Sequence, residues 1–307
     1  MSFTRDPAAF AVAFARCPVQ APVTARAAFL VAPEGLCVAA ESAQDNAYMD
    51  PACRVDGERA QQQHRALQRA LSASLPVITF PGHPDTPDAV FPNNVFATAR
   101  TVHGGTLLIG RMRHPLRQRE AERVDIPRFF TDVLGYRVRD LRDAPGLCEL
   151  TGTLVIDRGR AVGFAGLSSR CDEAGAATMH VAFDLAASFA FALAPSEYHT
   201  NVVLAVLASR AVVLCPAALA DPQAAEAIAA LYAPHAIELD VREKAAFAGN
   251  CIALDDSTVW MSEAAADALA PHNRAAFERA GFAIRSVALD EIEKAGGSLR
   301  CCVAEIF

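Results

Sequence analysis

Three residue types that lie far apart in the chain would together support covalent catalysis: Cys301, His199 and Glu149. Cys301 follows Gly296-Gly297-Ser298, small residues that let a backbone bend sharply or approach a ligand. Arg300 beside it favours the thiolate, the nucleophilic form of sulfur. The adjacent Cys302 competes for the role; on an alternating strand the two would face opposite ways, and only one could address a cleft. His199 stands in Glu197-Tyr198-His199-Thr200-Asn201, directly ahead of an apolar run, where an imidazole serves either as acid/base or as a hydrogen-bonded structural group. Of the other histidines, His64, His83, His103, His114, His235 and His272 read as surface, and His180 falls in an Ala-rich helix. Glu149 sits between Leu147-Cys148 and Leu150-Thr151-Gly152, and a carboxylate among apolar neighbours is costly unless paired. It either pairs with an arginine, holds a cationic or N–H-bearing group, or handles a proton. Thiol, imidazole and carboxylate are the set used by enzymes that form covalent intermediates.

A repeat is what would bring them together. Polar signatures precede pairs of short apolar runs at Asn93-Asn94, Glu149-Leu-Thr-Gly, Tyr198-His199-Thr200-Asn201 and Gly249-Asn250, and Gly296–Cys301 precedes the last run, 302–307. Their spacing of roughly 50 residues is that of a repeated supersecondary unit. Short β-branched or apolar runs, such as 27–31, 77–80, 106–109, 153–156 and 251–254, predict strands. Helical spacing predicts helices over 58–74, 117–134, 172–193, 222–232 and 262–280, the last starting at a Ser262-Glu263 cap. The recurring order strand, turn, strand, helix, strand predicts a mixed α/β chain of about five pseudo-repeats. The final run and the run 27–31 complete one unit between them. Residues 1–25 read as an extension, a helical turn or a loose arm, and 26–307 as a single domain.

Composition narrows the classes of function. Of 307 residues, 52% are hydrophobic and 21% charged, which predicts a folded core and not disorder. A net charge of −7 without a long basic run argues against nucleic acid or a membrane surface as partner. No apolar stretch is long enough to span a bilayer, and the N-terminus does not read as a secretory signal. Nine scattered cysteines without a CxxC pair suit reduced thiols and a cytoplasmic location; Cys37, Cys53, Cys215 and Cys251 read as small buried hydrophobes. No metal-ligand spacing and no phosphate-binding loop occurs, so neither a metal nor another cofactor is expected.

Six segments carry a resemblance over nearly the whole chain: Pro87–Asn94, Glu149-x-Thr-Gly, Leu167–Arg170, Tyr198–Asn201, Phe247–Asn250 and Gly297-Ser298-x-Arg300-Cys301. Together they resemble the guanidino-group-modifying superfamily, the penteins, which includes arginine deiminase, dimethylarginine dimethylaminohydrolase and the amidinotransferases. The citrulline-utilisation hydrolase branch is most similar. The resemblance implies a five-bladed, pseudo-symmetric α/β propeller of ββαβ-type repeats with the active site on its axis. It implies that Cys301 attacks the central carbon of a guanidino or ureido group, that His199 is the acid/base and that Glu149 holds substrate N–H groups. It further implies that Asp88 receives the substrate α-amino group, and that Arg117 and Arg170 clamp its α-carboxylate.

Asn93-Asn94 depart from the carboxylates that deiminases and dimethylarginine hydrolases carry there. Asn offers both a donor and an acceptor and so suits a neutral ureido group. The expectation is therefore hydrolysis of citrulline, or of arginine through citrulline, to ornithine, carbon dioxide and ammonia. The alternatives are a deiminase, a dimethylarginine hydrolase, an amidinotransferase and a non-catalytic amino-acid binder. A small-molecule amino acid is the expected partner, and a homodimer is left open.

Overall fold

In the computed structural model, which describes residues 1–307, five small sheets repeat one topology. In each, two strands pair antiparallel and a third pairs parallel with the second. The first sheet joins the chain ends: Ala304–Ile306 pairs antiparallel with Ala27–Val31, which pairs parallel with Val77–Phe80. The next four run in sequence order. They are Phe96–Thr101, Gly104–Ile109 and Arg137–Asp140; Leu154–Asp157, Val162–Leu167 and Ala187–Ala192; Leu204–Leu207, Ala211–Leu214 and Ala236–Glu238; and Ile252–Ala253, Thr258–Ser262 and Ala283–Val287. The hairpins are tight. Ala208 and Ser209 both take positive φ, +46° and +55°, matching the right-handed twist of the strands they join.

Helices cover these sheets with their apolar faces. In Gly57–Leu71, Ala60, His64, Leu67 and Leu71 are all buried, and the Asp56 side chain caps the N-terminus by accepting from Glu58 and Arg59 N–H. Pro222–Leu231 carries an Asp221 cap and buries Ala224, Ala225 and Ile228. No helix is long and apolar enough to cross a membrane.

The polar signatures fall on corresponding corners. Short helical turns, Pro92–Asn94, Leu150–Thr153, Thr200–Val203 and Leu299–Cys302, lead directly into the first strands of four units. Hydrogen bonds link each unit to the next at these corners. Thr151 Oγ1 donates to Asn93 O (3.0 Å), Thr200 Oγ1 to Thr153 O (2.6 Å) and Asn250 Nδ2 to Asn201 O (2.7 Å). Arg300 N–H donates to Asn250 O (3.4 Å), and away from the corners, between two strands, Thr98 Oγ1 donates to Glu305 O (2.9 Å).

Several sequence expectations need correction. The stretch 172–193 is helical only over Glu173–Ala182; after Asp184, at φ +56°, the alternating Ala187–Ala192 becomes an inner strand of its sheet. The stretch 117–134 breaks into turns around an extended Arg123, because Pro127 has no N–H to return to that carbonyl. Pro271 likewise splits 262–280 into Glu263–Ala268 and Pro271–Arg279, forcing Ala270 to an extended ψ of 149°. The N-terminal extension is neither loose nor only helical. Ser2–Thr4 adds a parallel strand beside Ala187–Phe189, and helix Pro7–Phe14 stacks Phe10 on Phe189 with centroids 5.1 Å apart. His64 and His114 are buried, not on the surface, whereas Cys37 and Cys53 are exposed, not buried.

Candidate active site

The turn Leu299–Cys302 places Cys301 in the wall of a small cavity that is also lined by His199, Asn94, Asp88, Arg117 and Arg170. Residues from five separate chain segments therefore meet at one point. Because Cys301 and Cys302 lie in a helical turn, the expected strand alternation does not apply. Both are buried, Cys301 lines the cavity, and Cys302 packs into the apolar core with Leu299 and Val303.

His199 is held by Glu149, with Nε2 2.8 Å from Glu149 Oε2. Glu149 is fully buried and has three further supports. Arg170 Nη1 donates to Oε2 at 3.2 Å, the Arg113 backbone N–H donates to Oε1 at 3.0 Å, and Arg117 adds its charge nearby. Burial opposes ionisation, but Arg170, His199 and Arg117 outweigh it and hold the carboxyl well below the usual range. Glu149 is thus an ionised acceptor, and His199 presents Nε2–H to it. The other ring nitrogen, Nδ1, is buried and has no protein partner. Burial pushes the His199 pKa below its ordinary value, against the opposing pull of Glu149, so the imidazole is neutral with Nδ1 as a bare base.

Gly152 makes room for that base. A Cβ there would lie 2.5 Å from Asn94 Nδ2 and 2.9 Å from His199 Nδ1. Asn94 and His199 thus converge on the space that any side chain would fill.

The Asn pair is oriented by Arg117. An arginine can only donate, so the Asn94 atom 2.8 Å from Arg117 Nη1 is Oδ1. Asn94 Nδ2 then donates to Asn93 Oδ1 (2.9 Å), and Asn93 Nδ2 is buried without a partner. Arg117 is itself pinned by Glu120 through Nε and Nη2, at 3.0 and 2.9 Å. Arg170 reaches Asp45 (2.5 Å) and Ser42 O as well as Glu149. Asp88 accepts from Ser42 Oγ through Oδ2; its Oδ1 is buried and unpartnered, and burial pushes its pKa up.

The cysteine is embraced by an amide. Asn250 Nδ2 lies 3.2 Å from Cys301 Sγ, and Asn250 Oδ1 accepts from the Cys301 N–H at 3.3 Å. Asn201 Oδ1 stands 3.7 Å from the same sulfur. Burial pushes the Cys301 thiol up, while Asn250, the Ser298 backbone, Arg300 and Arg117 pull it down. Arg300 directs its guanidinium to Glu305 (2.9 Å) and Val303 O, which leaves Asn250 as the direct donor to the sulfur.

All eight candidate residues from the sequence lie in or directly behind this cavity. Sequence reasoning did not single out Asn250, Asn201, Gly152, Ser42, Asp45 or Tyr198 as site residues. Asn250, Asn201, Gly152 and Tyr198 stand in repeated corner signatures that could have marked them. Asp45 and Ser42 come from an irregular segment whose sequence carries no such signal.

The chain is similar in sequence and in fold to known proteins. The family profile described as "N,N dimethylarginine dimethylhydrolase, eukaryotic" matches residues 32–307. The N(G),N(G)-dimethylarginine dimethylaminohydrolase of Mycobacterium tuberculosis (strain ATCC 25618 / H37Rv) is 28% identical over 272 residues, 85% of this chain and 80% of that protein. The fold is similar to that of the substrate-bound N-terminal domain of ArgZ, an arginine dihydrolase from the ornithine-ammonia cycle in cyanobacteria. The TM-score is 0.77 at 20% identity, covering 91% of this chain and 97% of that one. It is also similar to a dimethylarginine dimethylaminohydrolase solved as an adduct with 4-chloro-2-hydroxymethylpyridine, with TM-score 0.67, 21% identity, and 92% and 100% covered.

Proposed function

The chain belongs to the N,N-dimethylarginine dimethylhydrolase family of eukaryotic type, within the guanidino-modifying pentein superfamily, and from that premise we propose that it hydrolyses citrulline to ornithine, carbon dioxide and ammonia. That it is a hydrolase of C–N bonds follows from the membership. The choice of substrate rests on one observation, the donation from Arg117 to Asn94 Oδ1. With that oxygen taken, Asn94 offers the cavity a second Nδ2 hydrogen, a donor in search of an acceptor. A ureido group has a carbonyl oxygen to meet it; a guanidinium has only N–H groups.

In this reading residues 26–307 form one catalytic unit, and residue 1–25 an extension packed on it. The five units stand around an axis as a propeller, supported by the succession of hydrogen bonds that links each to the next. Nδ1 of His199 takes the Cys301 proton, and the thiolate adds to the ureido carbon. The carbonyl oxygen becomes an oxyanion facing the Asn94 N–H. Collapse expels the terminal nitrogen as ammonia, protonated by His199, and leaves a thiocarbamate on Cys301. Water deprotonated by His199 then releases the thiol and a carbamate, which splits to ornithine and carbon dioxide. Asp88, Arg117 and Arg170 also line the cavity, and in this reading they take the amino acid's α-groups. The nine unpaired cysteines suit a reducing cytoplasm.

A second reading, hydrolysis of dimethylarginine to citrulline and dimethylamine, is favoured by the family's description and by the mycobacterial relative's name. A substrate panel separates the two. Citrulline, arginine, methylated arginines, agmatine and succinylarginine are incubated with the enzyme, and ornithine, citrulline, ammonia and dimethylamine are quantified. Equal ornithine and ammonia from citrulline is the expected result. Citrulline accumulating beside ammonia from arginine, or beside dimethylamine, would overturn the citrulline assignment.

A further inference from the structure

We propose that Asn250 and Asn201 form a two-amide cradle that positions the Cys301 sulfur and supplies the N–H donors that stabilise its thiolate, Asn250 as a fixed donor and Asn201 as a rotating one. The inference rests on the assignment of Cys301 as nucleophile and not on the identity of the substrate.

The polarity of Asn250 is locked from two sides. Its oxygen must face the Cys301 backbone N–H (3.3 Å), because only an acceptor can meet a donor there. Its Nδ2 is tied to Asn201 O at 2.7 Å, which is an acceptor. Both constraints point the amide N–H at the sulfur, 3.2 Å away, and turning the amide over would break two bonds at once. The side chain is fully buried, so no water competes for these positions. A hydrogen bond from an amide to a charged sulfur is stronger than one to a neutral thiol, so this contact favours the thiolate.

Asn201 differs in the one respect that lets it move. Its Oδ1 is 3.7 Å from the sulfur, placed to accept an S–H, while its own Nδ2 is buried and has no partner. When the proton leaves, an oxygen facing a thiolate is repelled. Rotating the amide by half a turn brings the unpartnered Nδ2 to the sulfur and breaks no other side-chain bond. The thiol is therefore held by one donor and one acceptor, and the thiolate by two donors.

The remaining charged or titratable groups facing this sulfur do less. Arg300, on the same turn, is paired with Glu305, and Arg117 is paired with Glu120. Across the cavity stand Asp88, Arg170, Tyr198 and a neutral His199, and Cys302 lies beside it on the chain. No cation stands within hydrogen-bonding distance of the sulfur, so the amides carry the local stabilisation.

The test reads the thiol without substrate. The rate of carboxamidomethylation by iodoacetamide is followed against pH in the full-length protein, and fragment mass spectrometry separates Cys301 from Cys302 and from the other cysteines. Asn250→Ala is expected to raise the midpoint of the Cys301 profile by about one pH unit, a tenfold loss of thiolate at fixed pH. Asn250→Asp keeps the acceptor for the Cys301 N–H and the side-chain size but loses the donor, and should raise it further. Asn201→Ala should raise it by less than Asn250→Ala. An unmoved midpoint in a folded Asn250→Asp protein, whose thermal unfolding matches wild type, would overturn the cradle. The underlying reading fails separately: a Cys301→Ser variant that still turns over would remove the nucleophile itself, whatever the alkylation profiles show.

Discussion

Glu149 Oε2 lies 2.8 Å from His199 Nε2, and this one bond decides which imidazole nitrogen does the chemistry. An ionised carboxylate can only accept, so the proton of neutral His199 sits on Nε2 and the lone pair on Nδ1 is left free. Replacing Glu149 with Gln puts an amide in that place. The amide can donate to Nε2, which would move the proton to Nδ1 and remove the base. Glu149→Gln is expected to lower kcat by about 10²–10⁴, the range of acid–base assistance. The ¹⁵N chemical shifts of His199 should show the tautomer change; a variant with wild-type kcat would show that the bond only supports structure.

The pH dependence of kcat/KM should be a broad plateau. Burial drives the His199 pKa below 6.5, despite Glu149, and drives the Cys301 thiol above 9. Neutral imidazole with neutral thiol is therefore the resting pair across neutral pH. Activity should fall in acid only below pH 6.5, as Nδ1 becomes protonated, and the alkaline limb should lie above pH 9. An acid limb above 6.5 would mean that imidazolium and thiolate already exist as an ion pair in the free enzyme, against this assignment.

Cys301 and Cys302 should separate cleanly by mutation. Only Cys301 lines the cavity, so Cys301→Ser should remove turnover while substrate binding stays measurable by calorimetry. Cys302 is buried in the core beside Leu299 and Val303, its thiol pushed far up by burial. Cys302→Ser should leave kcat within a few-fold and cost stability, of order 1–3 kcal/mol for a hydroxyl buried without a partner, read from denaturant unfolding. The opposite pattern would exchange the two roles.

Much of this site was legible because catalysis needs residue types that the sequence cannot hide. Glu149, His199 and Cys301 each stand at the same corner of a repeat, so a period of about 50 residues located them before any coordinate did. The strands that close the chain, Ala27–Val31 and Ala304–Ile306, were legible as apolar runs without partners. What stayed hidden was set by tertiary contact. Ala187–Ala192 is a strand because it lies between two others, although its alanines favour a helix equally well. Asp45 acts only because the fold lays it against Arg170, Arg113 and His114, from segments distant in sequence. Polarity was hidden too: Asn94 reads as donor or acceptor until Arg117 is seen to take its oxygen.

A buried histidine outside the site should shape acid stability. His64 is buried in helix Gly57–Leu71, its Nε2 has no partner, and burial lowers its pKa to about 4. The folded state rejects a proton that the unfolded chain binds below about 6.5. Its contribution to stability is therefore complete above pH 6.5 and is lost as pH falls towards 4. The loss over that window is on the order of 2–3 kcal/mol. His64→Leu, which keeps the apolar face, should reduce the difference between urea midpoints measured at pH 7 and pH 4.5. An unchanged difference would mean that His64 is protonated in the folded state.

The sharpest test of substrate choice is Asn94→Asp. The new carboxylate would still accept from Arg117 Nη1, so the ion pair beneath the site with Glu120 need not be rebuilt. Asn93, which now accepts from Asn94 Nδ2, would have to turn over and donate its own unpartnered Nδ2 instead. The cavity then loses the N–H aimed at a carbonyl oxygen and gains a negative charge beside His199. For citrulline both changes are adverse, because the oxyanion would form against a carboxylate. Loss of one oxyanion donor alone costs about 10²–10³ in kcat. For arginine the change is favourable in the ground state, since a guanidinium supplies the N–H groups and positive charge that a carboxylate binds. The ratio of kcat/KM for citrulline to that for arginine should therefore fall by at least about 10²-fold. Steady-state kinetics on both substrates measures it, with thermal unfolding of the variant as control. A folded variant with an unchanged ratio would show that the polarity of Asn94 does not select the substrate.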